Sequence, residues 1–152
     1  MNDSTTYNLL YNSLNKLDRT QFKALYRILT YYWTHYKYFI SEQNFLALWC
    51  TLNTHCRHLD KDFPTPKRGS KKLTTFCIEH PYYFIDRLPL TLVASLFSNY
   101  LDNRIEIFIG LANTLYESNI LSAYSYANAT LGLDDPINEL APQAEESIKS
   151  YS

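Results

Sequence analysis

Residues 18–40, DRTQFKALYRILTYYWTHYKYFI, constrain the fold more than any other stretch of the chain. Phe22, Leu25, Tyr26, Leu29, Tyr32, Trp33, Tyr36 and Ile40 recur at i, i+3, i+4, i+7, the spacing of one helix face. The segment is expected to be a helix of about six turns, capped by Asp18, whose broad apolar stripe needs partner surfaces. Arg19, Lys23, Arg27 and Lys37, with Tyr31 and Tyr38, fall on a different face. At about 100° per residue, Arg19, Lys23, Thr30, Thr34 and Lys37 gather on one side of it.

Partner helices are legible on both flanks. Tyr7, Leu10, Tyr11, Leu14 and Leu17 repeat at helical spacing after a cap at Ser4 or Thr5, and this first helix is expected to pair with residues 18–40 as an αα-hairpin. Ser41 suits the N-cap of a third helix, with Glu42 in its first turn and Phe45, Leu48, Trp49 and Leu52 facing inward, ending near Leu59. Pro81 and Pro89 each open a short helix, PYYFIDRL and PLTLVASLFSNYL, at a position that tolerates proline. Asp102 or Asn103 is the expected cap of a buried helix through Ile105, Phe108, Leu111, Ala112 and Leu115, in which Gly110 marks close packing. Ser118 or Asn119 begins a last helix, with Gly132 placed to end it.

Between these runs, residues 60–73, DKDFPTPKRGSKKL, carry Pro64, Pro66 and Gly69 and read as an exposed basic loop, with Lys67, Arg68, Lys71 and Lys72 clustered. Residues 74–80 are rich enough in β-branched and aromatic types for a short strand. No partner strand is evident, so a helical turn or extended segment is expected there. Three glycines in 152 residues disfavour a turn-rich β fold. The expected fold is all-α: a single compact multi-helix bundle of about five to seven helices around one long central helix, spanning residues 1–133. Residues 134–152 are expected to be an acidic, partly disordered tail.

The formal net charge of −1 conceals a split. Residues 1–80 carry eleven Lys and Arg against six Asp and Glu, or +5, and residues 81–152 carry three against nine, or −6. Either the basic half faces a polyanion, or the halves attract each other within the fold. Fourteen tyrosines add rings that stack while keeping a polar tip. Cations neutralise phosphates and exposed rings stack on unpaired bases, so the mixture suits single-stranded nucleic acid. The candidate nucleic-acid contacts are Arg19, Lys23, Arg27, Tyr31, Lys37 and Tyr38 on the long helix, and Lys67, Arg68, Lys71 and Lys72 in the loop.

Other chemistries are less well provided for. A helix-turn-helix over residues 41–59 would place its turn at Cys50 and offer Asn53, His55, Arg57 and His58 to a groove, but one continuous helix accounts for the same residues. Cys56, His58, Cys77 and His80 are the one set with zinc-like chemistry, and the C-x-H spacing of the first pair is tighter than usual. No nucleophile, base and acid fall into a local signature, and isolated glycines build no phosphate loop. The expectation is a small non-enzymatic protein without metal or cofactor, whose basic, tyrosine-rich N-terminal half contacts nucleic acid or a nucleoprotein complex. The alternative is a protein-interaction module, such as an inhibitor, adaptor or immunity-type factor, docking a partner protein through an aromatic surface. Three cysteines and an opening, MNDSTTYNLL, without an apolar leader pattern point to a reduced, cytoplasmic setting. No apolar run approaches the length of a membrane span.

Overall fold

The computed structural model describes residues 4–59, 75, 79–80 and 82–134. Seven helices are formed among them: α1 (Ser4–Asn15), α2 (Arg19–Tyr36), α3 (Glu42–Leu59), α4 (Tyr83–Arg87), α5 (Leu90–Tyr100), α6 (Ile105–Glu117) and α7 (Ile120–Leu131). No strand occurs among the described residues, and the arrangement is the expected all-α multi-helix bundle. None of these helices is long and apolar enough to cross a membrane. The basic loop at residues 60–73, most of residues 74–80, Pro81 and all of the acidic tail beyond Asp134 lie outside the described residues.

α2 begins where its sequence says it should. The Asp18 carboxylate accepts from the Gln21 amide at 2.8 Å while the Gln21 side chain accepts from the Asp18 amide at 3.0 Å, a reciprocal capping box. It ends sooner than its apolar spacing suggests. Lys37 adopts a left-handed conformation (φ 59°) and its amide donates to the Trp33 carbonyl at 2.8 Å, which closes the helix at Tyr36.

The apolar stripe of α2 is the centre of the core. Phe22 meets Phe97 of α5 edge to face, Tyr26 meets Trp49 of α3, and Trp33 stacks on Phe45 of α3 with ring centroids 3.7 Å apart. Tyr32 reaches α7, where its hydroxyl donates to the Asn128 side chain at 2.7 Å. Tyr26, Tyr32, Phe22, Phe45 and Trp49 are all buried, so each ring contributes transfer free energy of about 2 kcal/mol or more, with edge and stacking geometry adding to it.

α1 does not form the hairpin with α2 that their adjacency in sequence suggests. Its principal partners are α5 and α6, and the Tyr7 hydroxyl shares a 2.9 Å hydrogen bond with that of Ser95 on α5. The reason lies in area: the stripe of α2 is already covered by α3, α5, α6 and α7, while α1, with Leu10 and Leu14 buried, packs on both α5 and α6. α3 is one unbroken helix of 18 residues, capped by the Ser41 hydroxyl, which accepts from the Asn44 amide at 3.2 Å. The helix-turn-helix alternative is thereby corrected: nothing breaks at Cys50, and Asn53, one of its groove contacts, is buried.

Candidate functional site

The cations of α2 divide into two groups along the helix. At its N-terminal end, Arg19 and Lys23 are turned onto α4. The Arg19 guanidinium donates to the Ile85 carbonyl and, at 3.3 Å, to the Leu88 carbonyl, at the end of α4 where unpaired carbonyls carry partial negative charge. The Lys23 ammonium sits 2.6 Å from the Asp86 carboxylate and is only 6 % exposed. Helical phase put both residues away from the apolar stripe, but α4 lies against that face, burying Lys23 and binding the still exposed Arg19 at its end. Thr30 is also buried, its hydroxyl bonded back to the Tyr26 and Arg27 carbonyls.

Arg27 is half-buried beside Tyr124, whose phenol pKa is raised by burial and pulled back in part by the Arg27 charge. Tyr31 is half-buried and forms the root of an aromatic group: it lies 4.4 Å from His35, 5.1 Å from Tyr32 and 6.1 Å from Tyr124, measured between ring centroids. The cluster becomes more open toward the end of α2. Thr34, His35 and Lys37 are exposed, and Tyr36 is 38 % exposed.

Two aromatic stacks finish at this end, each topped by a cation. The Lys37 ammonium lies 3.6 Å from the centroid of Trp33, which itself stacks on Phe45. Tyr32, Tyr36 and Tyr38 follow one another in near-parallel steps of 6.2 and 5.6 Å, and the Arg104 guanidinium lies 4.9 Å from the Tyr38 ring. Such cation–ring contacts contribute about 0.5–1 kcal/mol when exposed and leave the charged head open to solvent. Among the described residues, neither Lys37 nor Arg104 belongs to an ion pair.

A clasp between two turns sets Arg104 beside Tyr38. Phe39, buried and at φ 78°, donates its amide to the Asn103 side chain, and its carbonyl accepts from the Asp102 and Asn103 amides at 3.1 and 3.2 Å. The Asp102 carboxylate accepts from the Ser41 amide at 2.7 Å and from the Asn44 side-chain amide at 2.9 Å. Asp102 and Asn103 therefore do not cap α6 as their position suggests. The α6 N-cap is Arg104, in a left-handed conformation with no side-chain cap bond, because both candidate caps are turned onto the α2–α3 turn. The acids that remain nearby, Glu42 and Glu106, stand in the first turns of α3 and α6, where the helix dipole favours them.

Of the ten candidate contacts, Tyr31 and Tyr38 are linked through Tyr36, Lys37 stands on Trp33 at the same end of α2, Arg27 lies beside Tyr124, Lys23 is paired with Asp86, Arg19 is exposed but bonded to the end of α4, and Lys67, Arg68, Lys71 and Lys72 lie outside the described residues. Sequence reasoning missed Tyr36, His35 and Arg104. Tyr36 was hidden by its register with the apolar stripe, and His35 drew no weight as a lone imidazole. Arg104 belongs to the acidic half, and only the clasp brings it beside Tyr38. The zinc set does not assemble from its first pair: two residues apart on α3, Cys56 is buried and His58 exposed, and Cys77 lies outside the described residues. No group of three metal-ligating side chains exists among the described residues. No protein-family model, curated protein or solved structure matches the chain.

Proposed function

We propose that this is a non-enzymatic binding protein that takes single-stranded nucleic acid, alone or within a nucleoprotein complex, on the surface formed by the end of α2 and its turn. The observation that carries the reading is the pair of cation-topped aromatic stacks, Lys37 on Trp33 and Arg104 on Tyr38, with Tyr36 and His35 open beside them. Unpaired bases offer π faces to such rings whatever their identity, and the phosphates between them need cations at short intervals. The arrangement supplies stacking faces and fixed positive charge, which is the chemistry of holding a strand.

Gel-shift or fluorescence-anisotropy titration with an oligothymidylate and an oligouridylate tests it. Tyr36→Ala is expected to weaken binding by about 1–3 kcal/mol, the worth of one base stacked on an aromatic ring. Affinity unchanged in Tyr36→Ala and in His35→Ala together would count against the site. A second reading, a module that docks a partner protein, is favoured by Leu9 and Tyr116, which are 55 % and 48 % exposed on the adjoining helices α1 and α6. A stoichiometric protein partner with no retained oligonucleotide would favour that reading.

A further inference from the structure

Among the described residues, three other than glycine have positive φ, and all three lie in or beside the clasp: Lys37 (59°), Phe39 (78°) and Arg104 (54°). A left-handed backbone costs a residue with a Cβ on the order of 1 kcal/mol, and glycine or asparagine is the usual occupant. Packing explains Phe39, since its ring is buried against Tyr32 and Phe108. The other two have only a cation–ring contact each, worth about 0.5–1 kcal/mol, which at most offsets the backbone cost. Lys37 and Arg104 are exposed, and their side chains make none of the hydrogen bonds that hold the turns together. At each position glycine would relieve the backbone, and at each a cation stands instead, its charge resting on a ring. Strain kept at exposed positions is the mark of a group held for binding.

We infer that Lys37 and Arg104 are the two phosphate contacts of the site, each held on a ring beside the clasp, so that a single strand crosses the turn with a phosphate at each cation. This rests on the nucleic-acid reading above and adds to it which charges hold the backbone. It requires that the two residues add little to the stability of the fold while strengthening the complex.

The test is the salt dependence of binding to oligothymidylate and oligouridylate, measured for Lys37→Gly, Arg104→Gly and Lys37→Arg beside the intact protein. Each glycine variant is expected to bind both oligomers several-fold more weakly, and to lower the slope of log K against log salt by about 0.7, the value of one phosphate contact on a single strand. The thermal midpoint of each should be nearly unchanged, because the relief of the left-handed backbone offsets the lost cation–ring contact. Lys37→Arg should keep the slope of the intact protein. Unchanged slopes, or weaker binding accompanied by a lower thermal midpoint, would overturn the assignment of Lys37 and Arg104 while leaving the nucleic-acid reading in place. Absence of binding by the intact protein to either oligomer would overturn both.

Discussion

Lys23 shows how far a residue's role depends on what covers it. Taken alone, a lysine at that phase of α2 is a surface cation; with α4 laid over it, it is a buried charge whose solvation has been replaced by the Asp86 carboxylate at 2.6 Å. Removing one partner of such a pair leaves the other charge stranded, whereas replacing the lysine by an apolar chain of similar length removes the problem. Asp86 is 35 % exposed on its side chain, so water screens part of the interaction. Asp86→Ala is therefore expected to cost about 2 kcal/mol in urea unfolding, less than the roughly 3–5 kcal/mol of a fully buried pair. Lys23→Met should lie within about 1 kcal/mol of the intact protein. Equal losses from both substitutions would mean that Lys23 contributes through some other contact. Neither change should alter oligonucleotide binding, since both residues face α4 rather than the end of α2.

At the scale of helices, what was legible in the sequence was whatever is decided within a few residues. The capping box of Asp18 and Gln21, the Ser41 cap, the Asn119 cap and the left-handed Gly132 all follow from local chemistry, and all are present. The end of α2 was not legible, because the apolar register runs on to Ile40, and only the turn's bonds to Asp102 and Asn103 pull the chain out of the helix at Lys37. The same long-range bonds took both expected caps away from α6. Gly110 was rightly read as a point of close approach, and the structure supplies its partner. A Cβ built at Gly110 on α6 would stand 2.0 Å from the Tyr126 hydroxyl oxygen and 2.6 Å from the ring carbon that bears it, so the α7 ring occupies the space a side chain would need. Gly110→Ala should therefore destabilise the protein even though alanine is favoured over glycine in a helix by about 1 kcal/mol. In a Tyr126→Ala background the same substitution meets no ring, and its sign should reverse to a gain of up to about 1 kcal/mol. A double-mutant cycle by denaturant unfolding reads this coupling directly. Additive effects would mean that Tyr126 swings aside at little cost.

Over the whole molecule, part of the division into a basic and an acidic half is resolved internally. Lys23 meets Asp86 and Arg19 meets the end of α4, so two cations of the first half are used to bind elements of the second. Traffic in the other direction sets the candidate site, where Arg104 of the acidic half stands over Tyr38 of the basic one. The two halves are also joined by α7, whose Tyr124 lies buried between Tyr31 and Tyr32. Burial raises the pKa of its phenol above the ordinary value of 10.0, and the nearby Arg27 charge offsets only part of that rise. The folded state therefore holds this proton more tightly than the unfolded chain does. The stabilisation is complete below the unfolded pKa of about 10 and is lost as pH rises through the folded one. Alkaline conditions should therefore loosen α7 from α2 by forcing a tyrosinate toward the core. Tyr124→Phe removes the titrating group while keeping the ring. Its stability should stay close to that of the intact protein at neutral pH and decline less steeply above about pH 10. Parallel stability curves for the two proteins across that range, followed by circular dichroism during urea unfolding, would show that other tyrosines govern the alkaline transition.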